Sequence, residues 1–478
     1  MKSMTLIGRE EEEKVLLKAL SSKEAELVSV VGRRRVGKTF LVKSVYGPKI
    51  KFSNTGLPNA TKELQLETFS FELKKIGAEN YDGKPIDSWL QAFFTLASHF
   101  SKNKPKEKYV IFFDELPWMA THRSGFITAF SWLWNSWAVN ENVVIVICGS
   151  AASWMVQKVV RDTGGLHNRI TRRVNVRPFN LHTTSEFLRL RGFRHDHYDC
   201  LQLYMAMGGI PHYLKEVEPG QSVTQNIDAI CFSEDGILYD EFRNLYPAIF
   251  MDSDRHVEII KLLANRPNGL SRSQLIKETQ LSTGGRLTKI LEELNISGFI
   301  SEHFGFKNGK KRYRLIDEYS LFYLKFIEPM KSEGEGSWKT LSQKQTFRSW
   351  SGYAFENIGL RHVGQIKKAL DIFAVFTKTS SYAHRAKDGF SGVQIDLVID
   401  RGDRAINLCE FKFYDKEVVV SKDLQESLKK KRWAFEHYTK TRKTVYWTLI
   451  SPFGIKQNQE GGNFIDQSLD ASILFVAL

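Results

Sequence analysis

The residues with the most telling chemistry stand near the amino terminus, where Gly32-Arg33-Arg34-Arg35-Val36-Gly37-Lys38-Thr39 follows the apolar run 27–31 and precedes the amphipathic stretch 40–45. The series is a complete G-x-x-x-x-G-K-[ST] between a strand-like and a helix-like segment. Glycines at these places let backbone N–H groups wrap phosphates, and the start of the following helix faces the negative charge. Lys38 is then expected to reach the terminal phosphates of a bound nucleotide, with Gly32, Val36, Gly37 and Phe40 lining it. Thr39 carries a hydroxyl suited to Mg2+, a hard cation that prefers oxygen.

A second run, Tyr109-Val110-Ile111-Phe112-Phe113, ends in Asp114-Glu115. Two carboxylates at the carboxyl end of a buried parallel strand sit where such sheets bind ligands, the Walker B arrangement. Asp114 is expected to hold Mg2+ through water, and Glu115 to orient the attacking water or take its proton, which together imply ATP hydrolysis. A third run, 143–148, ends in Gly149-Ser150, so Ser150 is either a polar sensor beside the γ-phosphate or the residue of a plain turn.

A different chemistry stands near the other end. The runs 393–400 and 405–412 flank Arg401-Gly402-Asp403-Arg404 and read as a hairpin. If Arg401 pairs with Ala405, Asp396 falls opposite Glu410 and Lys412 shares their face; a slip of one residue splits them across the sheet. Two acids and a lysine so gathered suit one or two Mg2+ ions on Asp396 and Glu410, with Lys412 positioning or activating water against a phosphodiester. The structural alternative is a surface hairpin with an ion pair. Downstream, Lys429-Lys430-Lys431-Arg432 either tracks a phosphate backbone or solvates a helix end.

The intervening chain supplies the supports. Residues 130–137, Phe-Ser-Trp-Leu-Trp-Asn-Ser-Trp, have helical spacing and read as core rather than a base-stacking surface. From Asp254 come three short amphipathic helices, 257–264, 271–278 and 285–295, the third opened by Leu281-Ser282-Thr283. A hairpin follows around Lys307-Asn308-Gly309-Lys310-Lys311-Arg312. Three helices and a basic hairpin look like a winged helix. Arg286 and Lys289 on the third helix, with Lys310, Lys311 and Arg312 on the wing, are its candidate nucleic-acid contacts; the alternative is a rigid protein-contact module. The segment 332–337, Ser-Glu-Gly-Glu-Gly-Ser, reads as a linker.

The chain has 478 residues, 42% apolar and 26% charged, enough for about three globular units and unlike a disordered chain. A net charge of +14 favours an anionic partner over a neutral metabolite. No segment approaches the ~18 apolar residues of a membrane span. Cys148, Cys200, Cys231 and Cys409 show no close pairing, so a cytoplasmic setting is expected and a membrane partner is not.

The order Gly8-Arg9-Glu10, the arginine-rich loop 32–39, Phe112-Phe113-Asp114-Glu115, Cys148-Gly149-Ser150 and Gly208-Gly209-Ile210-Pro211-His212-Tyr213-Leu214 resembles the archaeal-type ATPase family of the AAA+/STAND P-loop group. The resemblance spans about half the chain. It implies that Gly8 and Arg9 lie by the adenine, that 208–214 belongs to a helical lid, and that Arg169 acts on a neighbouring subunit's nucleotide within a homo-oligomer, with Arg172 and Arg173 as rivals. The tail pattern D-(x13)-E-x-K is similar to the PD-(D/E)XK nuclease superfamily, which implies a helical carboxylate at Glu356. Ile395 replaces the proline usual before the first acid. The expected fold is α/β: an ATPase core with a parallel sheet at 1–180, a helical lid at 181–250, a winged helix at 251–325, a linker at 326–346 and a nuclease-like α/β domain at 347–478. The expected function is ATP binding and hydrolysis directed at nucleic acid, DNA more than RNA, with ATP and Mg2+ as cofactors and an ATP-regulated nuclease in the tail. The alternative is a STAND-like signalling or scaffold ATPase whose tail binds without cutting.

Overall fold

The computed structural model describes residues 6–78, 85–121, 124–150, 169–250, 252–279, 285–307, 311–331, 333–384, 392–456 and 464–478. Lys310, with Asn308 and Gly309, and the segment 281–283 lie outside the described residues. The chain divides into two compact units, Met1–Pro178 and Phe179–Leu478.

The first unit is built on a five-stranded, wholly parallel sheet. Its strands are β1 (Glu26–Val31), β2 (Ile50–Thr55), β3 (Tyr109–Asp114), β4 (Val143–Gly149) and β5 (Arg172–Asn175), in the order β2-β3-β4-β1-β5. Helices cover both faces of a parallel sheet, which is why β3 and β4 are apolar at nearly every position and buried throughout. The helices are α1 (Glu10–Ser21), α2 (Lys38–Tyr46), α3 (Lys62–Lys75), α4 (Trp89–Lys102), α5 (Leu116–Met119) and α6 (Phe126–Trp132). One face of the sheet packs against an aromatic core in which Phe69 meets Phe93 edge to face at 5.7 Å and Phe113 meets Phe130 at 5.6 Å. Phe130, Leu133, Trp134 and Trp137 are buried there, and the Trp137 indole donates to Ser101 Oγ at 3.1 Å. The aromatic run 130–137 is thus spent on packing.

The second unit begins with helices α7 (Leu181–Leu190), α8 (His197–Met207), α9 (Pro211–Leu214), α10 (Val223–Cys231) and α11 (Glu241–Leu245). Three helices follow, α12 (Ser253–Ala264), α13 (Arg272–Thr279) and α14 (Gly285–Ile296), then an antiparallel pair, β6 (Ile300–Phe304) and β7 (Lys311–Leu315). After α15 (Glu318–Phe322) the chain forms α16 (Gln345–Arg361) and α17 (Val363–Ala369). A mixed sheet then forms from β8 (Thr377–His384), β9 (Val393–Arg401), β10 (Ala405–Phe411), β11 (Thr444–Ser451) and β12 (Gln467–Asp470), in the order β12-β11-β10-β9-β8. Strands β8, β9 and β10 run antiparallel, while β10, β11 and β12 run parallel. Helix α18 (Lys422–Thr439) provides the crossover between β10 and β11.

The segment 326–346, expected as a loose linker, is packed into this unit. Trp338 is 2% exposed against Phe232, Phe322 and Phe326, and the Asp228 carboxylate accepts from the backbone N–H of Gly336 at 2.6 Å and of Trp338 at 3.0 Å. Serine and glycine set the composition of the segment, but one buried indole outweighs them. All four cysteines are free and buried. Among the described residues, no helix is long and apolar enough to cross a membrane.

Candidate functional site

The carboxyl ends of β1, β3 and β4 meet at one edge of the first sheet, and each delivers a polar group there. After β1 the loop folds back tightly. A Cβ on Gly32 would stand 2.3 Å from the Val176 carbonyl oxygen, and Gly37 has φ +92°, a conformation few side chains tolerate. Lys38 opens α2 with its ammonium donating to the Arg33 carbonyl at 3.0 Å, inside the loop it must span to reach a phosphate. Val36 is buried, while Phe40 lies 43% exposed on the first turn of α2. Arg9, at the start of α1, is buried and donates to the Val36 carbonyl at 3.1 Å, which ties the amino-terminal segment to the same loop.

Thr39 Oγ1 donates to Asp114 Oδ2 at 2.7 Å, so the hydroxyl after the loop and the acid ending β3 share one spot. Glu115 sits in the left-handed region, φ +47°, which turns its side chain towards β4; there Ser150 Oγ donates to Glu115 Oε2 at 2.7 Å. A non-glycine residue held with positive φ stores backbone strain, a feature that gathers at functional positions. The hard oxygens of Thr39 and Asp114 fit a magnesium ion, and the Glu115–Ser150 pair fits control of a water. The adjacent Cys148 thiol is buried, and burial pushes its pKa well above the ordinary range, which makes it inert packing. Arg169 is exposed just before β5, at the amino-terminal edge of the sheet, opposite the loop of its own chain. Of its rivals, Arg172 pairs with Glu26 at 2.6 Å.

In the second unit β9 and β10 adopt the register in which Ile406 faces Asp400 and Cys409 faces Leu397; carried one residue further, it sets Glu410 opposite Asp396. Asp396 Oδ2 accepts the Phe411 N–H at 3.1 Å. Glu410 is 4% exposed and accepts Lys412 Nζ at 3.0 Å. Burial raises the Asp396 pKa to about 8, reinforced by the nearby charges of Glu410 and Glu356. Such a carboxyl asks for a cation. Burial works against the charge of Lys412, yet the charge and hydrogen bond of Glu410 hold its pKa above the usual lysine value. Lys412 is therefore a fixed cation here, suited to holding a phosphate or a hydroxide and not to taking a proton.

Two partners of this cluster escaped the sequence reading. Lys431 on α18 donates to both Glu410 oxygens, at 2.8 and 2.7 Å. Arg314 on β7, 4% exposed, donates to Glu356 Oε1 at 2.8 Å and so occupies the helical carboxylate. Among the described residues no three His, Cys, Asp or Glu side chains gather closely enough to hold a metal ion between them. A signal for Lys431 did exist: Leu424, Leu428, Lys431 and Phe435 recur at three- and four-residue spacing, which puts this lysine in the inward stripe of its helix. Arg314 gave none, because Tyr313, Arg314 and Leu315 are buried in succession without the usual alternation.

Of the expected nucleic-acid contacts of 251–325, the four that are described, Arg286, Lys289, Lys311 and Arg312, have partners within the chain. Arg286 pairs with Asp252 at 2.5 Å, Lys289 lies 3.9 Å from Glu293, and Lys311 pairs with Glu302 at 2.9 Å. Arg312 donates to the carbonyls of Asn268 at 2.8 Å and Gly269 at 2.6 Å, and so braces the hairpin against the turn before α13.

A parallel sheet with a phosphate-binding loop after β1 and paired acids after β3 defines the first unit as a P-loop ATPase. Residues 6–217 match the family model of an ATPase domain predominantly from Archaea, and with the phosphate-binding loop this match supports ATP hydrolysis as the activity. The chain is similar to the uncharacterized protein MJECL04 of Methanocaldococcus jannaschii, with 24% identity over 415 residues, 86% of this chain and 88% of that one. It is also similar to the Walker-type ATPase of Pyrococcus abyssi, with a TM-score of 0.48 and 18% identity over 67% of this chain and 96% of that one. The ORC2 protein of Aeropyrum pernix gives a TM-score of 0.40 and 13% identity over 69% and 95% of the two chains.

Proposed function

We propose that this protein uses ATP to regulate a nucleic-acid-directed second unit whose tail hydrolyses phosphodiester bonds with Mg2+. In the first unit Gly32, Val36, Gly37 and Lys38 hold the phosphates, and Thr39 and Asp114 the magnesium. Glu115 acts on the attacking water with Ser150 as its partner, and Arg9 borders the nucleotide. Residues 181–250 serve as a helical lid, 251–325 as a winged helix, and Arg169 reaches the nucleotide of another copy. DNA is the favoured substrate, in keeping with the +14 charge.

The observation that carries the nuclease reading is the convergence of Asp396, Glu410 and Lys412 at the β9–β10 pair, where a half-buried Asp396 stands beside two buried acids. A metal held by Asp396 and Glu410 would supply Lewis-acid stabilisation of the phosphate. Lys412, fixed as a cation, would orient the phosphate or the attacking hydroxide.

One observation favours the scaffold reading instead, in which the tail binds without cutting. Glu410 is clasped by two lysines and Glu356 by an arginine, so both carboxylates already have cationic partners. The two readings separate on incubation with single- and double-stranded DNA and RNA, with and without ATP, in Mg2+ or Mn2+. Metal-dependent cleavage lost in Asp396→Ala, Glu410→Ala and Lys412→Ala, with ATP hydrolysis intact in all three, supports the nuclease. Binding without cleavage under every condition supports the scaffold.

A further inference from the structure

A cavity of about 550 Å3 opens in the second unit between the end of α12, the helix α15 with the turn after it, and the first turns of α16. Its floor is firm. Trp350 of α16 is buried and packs against Phe322 and Phe326, with ring centroids 5.5 and 5.1 Å away. Tyr353, one turn along, is half-buried and donates to the Leu315 carbonyl at 3.4 Å. Space remains because Ala264, Thr346 and Ser349 stand on the lining where longer side chains would fill it. The volume falls within the range of small-ligand sites.

One wall follows an unusual path. After α15 the helix widens into a π turn, Tyr323–Ile327, and tightens again at Glu328–Met330. Pro329 has no N–H to offer the Lys325 carbonyl four residues back, which removes one bond of the ordinary ladder. Such turns are rare and gather at functional sites. Leu324 and Lys325 reach the lining from this one. The charges beside it do not balance. Glu328 is matched by Lys261 of α12 at 2.9 Å, which leaves Lys325, exposed and paired with no acid among the described residues, as the surplus cation at the rim.

The remaining polar groups work in both directions: the amide of Gln345 and the hydroxyls of Thr346 and Ser349 can donate and accept. An aromatic floor, groups of both kinds at the side and one spare cation at the rim suit a ligand with a flat ring, polar ring edges and a single anionic group. A nucleotide with one phosphate has all three. We infer that this cavity binds a nucleoside monophosphate, with the base among Leu324, Trp350 and Tyr353 and the phosphate on Lys325. The site belongs to the second unit and is distinct from the loop 32–39, which is built to wrap a longer phosphate chain. It stands whether or not the tail cuts nucleic acid.

The test is equilibrium dialysis of labelled AMP, GMP, CMP and UMP against the full chain carrying Lys38→Ala, in which the loop 32–39 no longer competes. At least one is expected to bind with one equivalent per chain, and its nucleoside and ribose 5-phosphate each roughly tenfold more weakly, because each lacks one half of the contacts. Lys325→Glu should weaken binding by about tenfold, the size of one lost charge-assisted contact. Ser349→Trp should abolish it by filling the cavity, whereas Lys339→Glu, away from the lining, leaves it unchanged. All three positions are exposed, and ATP hydrolysis by the same variants with Lys38 restored confirms that they fold. Displacement by a 5′-phosphorylated oligonucleotide of the same base assigns the site to the end of a strand, and retention assigns it to the free nucleotide. Failure of all four monophosphates to bind overturns the inference. So does binding that survives both Lys325→Glu and Ser349→Trp, which would place the nucleotide elsewhere on the chain.

Discussion

Lys431 holds both oxygens of Glu410, at 2.8 and 2.7 Å, from a helix that begins eleven residues beyond the strand end it serves. An ammonium so placed occupies the side of the carboxylate that a divalent cation would use. It also keeps a buried acid compensated while no metal is bound, which matters because an unpaired buried carboxylate is strongly destabilising.

Competition of this kind has a direction. Lys431→Gln is expected to tighten Mn2+ binding to the nucleotide-free chain by roughly tenfold, since it removes a unit charge within hydrogen-bonding distance of a ligand. Lys431→Arg should stay near wild type, and Lys429→Gln, whose lysine pairs with Glu426 at the surface, should change little. Free Mn2+ can be counted by electron paramagnetic resonance. Glu410→Gln must lower the bound fraction, or the signal does not come from this site; weaker binding in Lys431→Gln would show that the lysine supports the metal and does not compete with it.

At the ATPase edge the geometry separates binding from turnover. Lys38→Ala is expected to abolish nucleotide binding, and Glu115→Gln to preserve it while stopping hydrolysis. Ser150→Ala removes the hydroxyl that donates to Glu115 at 2.7 Å, so kcat should fall on the order of tenfold with KM nearly unchanged. Phosphate release and binding of a fluorescent ATP analogue measure the two quantities. A rise in KM alone for Ser150→Ala would place that serine on the nucleotide and not on Glu115.

Much of this was legible from residue order. The loop 32–39 and the acids 114–115 are local motifs in which the chain neighbours are also the functional neighbours, so the sequence specifies the site almost by itself. The β9–β10 hairpin was legible through its turn, because one assumed pair, Arg401 with Ala405, sets every later pair. Trp338 was not, because serine and glycine around it signal a linker and nothing local shows that Phe232, about a hundred residues earlier, supplies its cover. The partners of the hairpin cations were hidden for the same reason: Arg312 is held by carbonyls of Asn268 and Gly269, which no pattern of charge reveals.

The second unit should weaken in mild acid. His362 is 3% exposed; its Nδ1 bonds the Ile358 carbonyl at 2.7 Å and its Nε2 accepts the Leu181 N–H at 3.3 Å, so the neutral ring is the form that fits. Burial lowers its pKa to about 4. The group titrates lower in the folded chain than in the unfolded one, so its contribution is complete above the unfolded value near 6.5 and is lost as pH falls towards 4. Thermal melting of the wild type is expected to decline across that window. His362→Gln, which cannot take up the proton, should show a lower melting temperature at pH 7 but a flatter decline. Equal slopes would assign the acid sensitivity to other groups.

Arg314 and Glu356 provide the last test, because their pairing decides whether the helical acid is structural or a metal ligand. Both are buried, and the 2.8 Å bond compensates two charges taken out of water. Arg314→Met strands Glu356 and is expected to cost about 3–5 kcal/mol in the unfolding of the second unit. Adding Glu356→Gln should return most of that, because a neutral pair no longer demands compensation, and urea unfolding read by tryptophan fluorescence reports both changes. The two acids should then part in their response to metal: Glu356→Gln leaves Mn2+ affinity nearly as it was, since Arg314 already takes up its charge, whereas Asp396→Asn abolishes binding at the tail. A loss of Mn2+ in Glu356→Gln equal to that in Asp396→Asn would mean that Glu356 releases Arg314 to reach the ion, and the strand β7 arginine would then be part of how the site opens.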